Sequence, residues 1–164
     1  MSTTDECRAR APGSPGSGMD VEIAVLPRPT RADEDAVLSI LRDFTCGVVG
    51  YIDCHDLVIV IRDRVTGDIQ GGLVAQSRWG EMHIDMLAVA PRLRGCGMGR
   101  RLVSMAEHEA RQRGCTHMWL DTYAFQARVF YEKVGFEVFG QLDGPAPFFP
   151  RYFMRRLLSG AQAR

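Results

Sequence analysis

Lysine is nearly missing from this chain: Lys133 stands alone among 20 basic residues, the rest being arginine, and 20 acidic residues cancel them to a net charge of zero. A neutral chain lacks the basic footprint of a nucleic-acid binder. No uninterrupted apolar run approaches the roughly 20 residues that a membrane span needs. Arg8 and Arg10 are followed by no apolar h-region, so no secretory signal is read and a cytoplasmic location is expected. The five cysteines, Cys7, Cys46, Cys54, Cys96 and Cys115, form no CxxC pair and are odd in number. That argues against a zinc site or a disulfide framework, so reduced thiols and no bound metal are expected.

What is present fits one globular domain: 164 residues, 46% hydrophobic and 24% charged. Residues 1–18 include Pro12-Gly13-Ser14-Pro15-Gly16-Ser17-Gly18 and bury little apolar surface, so they read as a flexible extension. Residues 19–158 carry the domain's pattern, and 159–164 remain as a short tail.

Hydrophobic periodicity predicts strands at 21–26, 57–61, 69–77, 82–89, 116–122, 136–142 and 151–157. Helices are predicted at 33–44, with Thr30 as N-cap, at 98–113, ended by Gly114, and at 125–133. Met98, Leu102, Met105 and Ala106 are expected on the inner face of the second helix. The order β-α-β-β-β-α-β-α-β-β gives an α/β domain with a mixed sheet, and lacks the strict alternation of a barrel or doubly wound fold.

The most informative stretch is Leu87-Ala-Val-Ala-Pro91-Arg-Leu-Arg94-Gly95-Cys96-Gly97-Met98-Gly99-Arg100, a strand, a glycine-rich loop and a helix start. Glycines let backbone approach a ligand closely, and the exposed N–H groups of a helix start attract an anion. Arg92, Arg94, Arg100 and Arg101 add positive charge, so a phosphate or pyrophosphate is the natural occupant. The dinucleotide pattern G-x-G-x-x-G fails, because its third glycine falls on Arg100 or Leu102. A Walker loop needs Gly-Lys-Ser/Thr, and the only lysine is Lys133.

Arg94-Gly95-Cys96-Gly97-Met98-Gly99 resembles the Arg/Gln-x-x-Gly-x-Gly/Ala motif of the GNAT superfamily of acetyl-CoA-dependent N-acetyltransferases. Ala127-Arg-Val-Phe130-Tyr131-Glu-Lys133-Val-Gly135-Phe136 matches that family's A-x-x-F-Y-x-K-x-G-F pattern at every fixed position. The resemblance covers roughly residues 57–157. It implies the GNAT fold, a mixed and mostly antiparallel sheet of six to seven strands flanked by helices on both faces. It also implies acetyl-CoA as co-substrate and no metal.

Residue by residue, the resemblance implies that Leu87, Ala88 and Val89 pair with the pantetheine arm, with the Leu87 N–H near the thioester oxygen. The amides of Arg94, Gly95, Cys96, Gly97, Met98, Gly99 and Arg100 would hold the pyrophosphate. Gln126 stands where the family often has Asn. Tyr131 matches the tyrosine that, in many members, protonates the departing thiolate; on spacing alone it reads first as core beside Ala127, Phe130 and Val134, and the motif match turns the reading to catalysis.

A base for the attacking amine is sought on the strand before the loop, where His83, Asp85 and Leu87 share one face because side chains alternate with period two. The resemblance places acceptor recognition in two segments. One contains Phe44, Tyr51, Asp53, His55 and Asp56; the other is the connection Asp143 to Pro150, with Phe148-Phe149 as an apolar wall. Carboxylates beside aromatics suit a small-molecule amine. The alternatives are an idle module that binds CoA without chemistry, and an acetyltransferase of protein N-termini or ribosomal proteins. A homodimer through paired edge strands is left open.

Overall fold

The computed structural model describes residues 21–158; the expected extension at 1–18 and tail at 159–164 lie outside them. Two compact units follow one another, one ending at Ile52 and the next beginning at Asp53.

The first contains α1 (Arg31–Val49). Its start is a capping box: the Thr30 hydroxyl accepts from the Asp33 N–H at 3.4 Å, and the Asp33 carboxylate accepts from the Thr30 N–H at 2.8 Å. The Thr30 hydroxyl also donates to that carboxylate at 2.7 Å, and this bond first, then the one from the Thr30 N–H, holds the Asp33 carboxyl below its ordinary range. The helix outruns the expected 33–44 because Gly47 does not stop it. Gly50 does, at φ +86°, with its N–H on the Cys46 carbonyl at 2.8 Å. The strand expected at 21–26 is not formed. Its alternating Val21, Ile23 and Val25 are exposed, and alternation makes a strand only where a neighbour supplies a ladder.

The second unit holds β1 (Cys54–Arg62), β2 (Ile69–Arg78), β3 (Glu81–Val89), α2 (Met98–Gln112), β4 (His117–Tyr123), α3 (Arg128–Lys133), β5 (Glu137–Leu142) and β6 (Arg151–Leu157). The six strands form one sheet in the order β1-β2-β3-β4-β6-β5. Every neighbouring pair is antiparallel except β3 and β4. This is the α/β, mixed and mostly antiparallel sheet expected, with six strands.

Alternation directs one face of the sheet inward. Leu73 and Ala75 of β2, Met82 and Ile84 of β3, Met118 and Leu120 of β4, and Met154 of β6 are buried there in one cluster. Burial of such side chains contributes about 1.5–3 kcal/mol each. Leu102, Val103, Ala106 and Ala110 of α2, Tyr131 of α3 and Val134 just after it join the cluster. Met105, expected inside, is exposed; the buried stripe runs through Val103 and Ala110 instead, one step round the helix.

Two irregularities matter for the site. The parallel ladder between β3 and β4 covers only residues 81–84 against 117–120, so the strands part beyond Ile84 and Leu120. In addition, Ala75 faces Ile84 while Val74 faces Met86, so Asp85 is an extra residue in β3, a β-bulge. Alternation therefore breaks at Asp85. Leu87, opposite Leu73, shares the core-facing side with Ile84, and His83 points to the other side. The expected common face of residues 83, 85 and 87 is corrected by this one inserted residue.

Among the described residues no helix is long and apolar enough to cross a membrane. Among the described residues, Cys54, Cys96 and Cys115 are free thiols.

Candidate active site

Where two parallel strands diverge, their carboxyl ends frame a crevice, a favoured place for a ligand in α/β sheets. Here the parting of β3 and β4 opens a cleft of about 1080 Å³, of the size that encloses a substantial small molecule. Beyond Ile84 the β4 side of β3 has no strand ladder, so backbone of residues 85–89 is available along the cleft wall.

Ten of the expected cofactor residues line this cleft. Leu87, Ala88 and Val89 come from β3, and Arg94, Gly95 and Gly97 from the loop. Met98, Gly99 and Arg100 open α2, and Gln126 follows β4. Cys96 is the exception: its exposed thiol turns toward the Arg94 carbonyl, 3.7 Å away, and it is not part of the wall.

The glycines divide by purpose. Gly95 (φ +76°) and Gly97 (φ +77°) adopt the left-handed backbone that side chains resist, and a Cβ on either would meet nothing within 4 Å. Their absent side chains leave free space at the mouth of the cleft. A Cβ on Gly99, by contrast, would lie 3.1 Å from Cζ of Phe130. Gly99 thus lets α3 pack on the first turn of α2, a packing role rather than the expected ligand approach alone.

Arg101 donates the first intrahelical bond of α2, to the Gly97 carbonyl at 3.1 Å. The amides of residues 98–100 precede it and point out of the helix start. With the positive end of the helix dipole and the side chains of Arg94, Arg100 and Lys133 along the wall, this is a place for a multiply charged anion. Arg94 also donates through Nε to the Val89 carbonyl at 3.0 Å, fixing the end of β3 against the loop.

Across the cleft, Gln126 uses its side-chain oxygen to accept the Tyr123 N–H at 2.9 Å and the Thr122 hydroxyl at 3.3 Å. Those bonds shape residues 124–127 as a turn, so α3 begins at Arg128, later than the expected 125. The Gln126 amide nitrogen is left to meet a ligand. Tyr131 is 7% exposed; its ring lies edge-on to Phe130 at 5.1 Å and to Phe136 at 5.7 Å, yet the residue lines the cleft. Burial, and next the negative charge of Asp121, push its hydroxyl up to about 12. The phenol keeps its proton across the physiological range.

Asp85 lines the cleft, and His83 stands behind it, with Nδ1 2.9 Å from the Asp85 carboxylate. The His83 ring stacks on Trp119 at 3.8 Å between centroids, and its Nε2 is buried without a partner. The bulge brings Asp85 forward and leaves His83 as its support.

Asp53, His55 and Asp56, expected near an acceptor, line a different cavity of about 620 Å³ with Ser77, Arg78 and Arg113. It lies toward the start of β3, at the opposite end of that strand from the cleft. Arg113 there satisfies the carbonyls of His55 (3.0 Å) and Asp56 (3.4 Å) and the Ser77 hydroxyl (3.1 Å), a packing arrangement. Phe44 and Tyr51 belong to the first unit. Sequence reasoning gave no role to Asp121, Phe125 or Lys133, all of which line the cleft; their places within β4, just past it and within the second motif were the available signal.

The sequence profile of the Acetyltransferase (GNAT) family matches residues 24–136. The chain belongs to that family. An acetyltransferase of Agrobacterium fabrum is 37% identical to this GNAT chain over 112 residues, 68% of this chain and 80% of the relative. The blasticidin-S acetyltransferase of Streptomyces morookaense is 38% identical over 82 residues, 49% of this chain. The match spans 60% of that relative's own length. A crystal structure of a protein assigned as an acetyltransferase, from Agrobacterium tumefaciens, superposes with TM-score 0.78 at 28% identity, covering 84% of this chain and all of that one.

Proposed function

We propose that this GNAT chain transfers the acetyl group of acetyl-CoA directly to the primary amine of a small molecule. The observation that carries the reading is the single cleft that unites the amides at the start of α2, the free edge of β3, Asp85 and Tyr131. Its dimensions and its cationic mouth suit a long anionic co-substrate with a reactive group at one end. The relative that acetylates blasticidin-S supports a small-molecule acceptor.

The roles follow from chemistry at each position. Residues 94–100 receive the pyrophosphate, and the Gln126 amide meets the pantetheine arm. N–H groups on the free edge of β3, Leu87 among them, stabilise negative charge that develops on the thioester oxygen. An amine with an ordinary pKa near 10 is mostly protonated at neutral pH and must lose a proton before it attacks. Asp85 attracts the ammonium and, being itself exposed, passes that proton to solvent, while His83 Nδ1, 2.9 Å away, holds the carboxylate in place. The amine nitrogen then bonds to the carbonyl carbon and the C–S bond breaks. The departing sulfur takes up one proton from solvent, and the second amine proton passes to solvent by way of the Asp85 carboxylate as the amide forms.

Tyr131 helps the leaving sulfur as a hydrogen-bond donor. Burial raises the phenol to about 12, which leaves it a weaker acid than a thiol, so complete transfer to the sulfur is uphill. The hydroxyl therefore stabilises growing charge without surrendering its proton permanently. Thiol release from acetyl-CoA, measured across a panel of primary amines, tests the proposal. Amine-dependent release with formation of the acetylated amine is expected; binding of acetyl-CoA with no amine-dependent release would overturn it.

A further inference from the structure

Beyond the residues placed on acetyl-CoA above, Phe125 lines the cleft and packs with two further aromatic rings that stand outside its wall, Tyr123 and Phe149. Tyr123 stacks on Phe125 at 5.6 Å, and Phe125 meets the edge of Phe149 at 4.9 Å. Phe125 is 62% exposed and Phe149 54%, although both are large and apolar. Hydrophobic side chains that are exposed together beside a cleft mark a binding surface more often than scattered ones do.

The rim is built rather than accidental. Phe149 lies in the connection between β5 and β6, and three contacts tie that connection to the end of β4. The Ala124 N–H donates to the Pro150 carbonyl at 2.9 Å. Arg151 donates through Nε to the Asp121 carboxylate at 2.6 Å, and its guanidinium lies 5.5 Å from the Tyr123 ring centroid. These bonds occupy Asp121 with a cation of the protein itself. Asp85 is thereby left as the cleft carboxylate free of an arginine or lysine partner among the described residues.

Resting on the acetyltransferase reading above, we infer that Phe125 and Phe149 select the acceptor: its class is an amine carrying a flat aromatic or heteroaromatic ring. The ring lies against Phe125, and the ammonium is drawn to Asp85. Offset or edge contacts between rings favour such a partner over a saturated one of equal size.

The test compares benzylamine and tryptamine with cyclohexylmethylamine and hexylamine. Each is assayed for thiol release and for equilibrium binding to the CoA-loaded protein, in the wild type and in Phe125→Ala and Phe125→Leu. Phe125 is largely exposed, so both variants should fold, and leucine keeps apolar bulk without the ring. The wild type should favour the aromatic amines by roughly three- to tenfold in kcat/KM and in affinity. Both variants should lose that preference while the KM for acetyl-CoA stays within twofold. Turnover with no aromatic preference, or a preference that survives in both variants, would refute the inference and leave the acetyltransferase reading intact. A rise in the acetyl-CoA KM of the variants would also refute it, by placing the rim on the co-substrate. Aromatic-selective binding without turnover would sustain the rim and overturn the acetyltransferase reading. Neither binding nor turnover of the aromatic amines would refute the inference.

Discussion

A side chain at Gly97 should separate the phosphate site from ordinary backbone strain. Gly97 has φ +77° and Gly114 has φ +74°, and a Cβ on either meets no protein atom within 4 Å. Alanine at either position therefore costs only the left-handed backbone penalty, about 1–2 kcal/mol. For a domain of this size that is a fall in Tm of roughly 2–8 °C. The two sites differ in what surrounds them: Gly97 lines the cleft, and Gly114 ends α2 away from it. Acetyl-CoA at 100 times its Kd stabilises the native state by about 2.7 kcal/mol, a rise of roughly 5–10 °C. Gly97→Val puts a branched side chain where the pyrophosphate is to lie. If affinity drops about 100-fold, the rise at the same concentration shrinks to roughly 1 °C. Gly97→Ala should fall between, and Gly114→Ala should keep the full rise despite its lower starting Tm. Differential scanning fluorimetry with and without acetyl-CoA reads all four proteins. A full ligand-induced rise in Gly97→Val would refute the placement of the pyrophosphate.

Three further outcomes follow from the same geometry. Tyr131→Phe should lower turnover by about 10²-fold, as for loss of one positioned proton-handling group, with acetyl-CoA affinity within a few-fold in a binding titration and little change in Tm at neutral pH. Because the folded-state phenol is raised from 10 to about 12, its contribution to stability is fully present below pH 10 and is lost as pH rises through 12. Denaturant titrations should show a loss approaching about 3 kcal/mol across that window in the wild type and a smaller one in Tyr131→Phe. Asp85→Asn should cut kcat/KM for the amine by at least tenfold while leaving the acetyl-CoA KM near its wild-type value, measured by steady-state thiol release.

How much of this was legible in the sequence depended on whether a feature is local. The glycine loop was, because strand, turn chemistry and helix start occupy adjacent residues, and Gly95 and Gly97 take the backbone form that only glycine adopts freely. The turn at Gln126 and the bulge at Asp85 were not. A bulge is defined by two strands together, here Ile84 against Ala75 and Met86 against Val74, so alternation along β3 alone sent Leu87 to the wrong face. That Asp53, His55 and Asp56 line a cavity apart from the cleft was hidden for a related reason. Proximity in the chain to α1 said nothing of which end of β3 the strand β1 would start beside. Phe125 and Phe149 lie 24 positions apart, and long-range ties such as those of Ala124 to Pro150 and of Asp121 to Arg151 bring them together.

The central claim is that one cleft binds acetyl-CoA and passes its acetyl group to an amine. Its most direct test is to incubate the purified protein with acetyl-CoA and a panel of small primary amines, following free thiol and acetylated product together. The account predicts thiol and N-acetylated amine in equal amounts, at a rate that saturates in both substrates and that Tyr131→Phe lowers. Release of thiol at the same rate with and without every amine, from protein shown to bind acetyl-CoA, would contradict it.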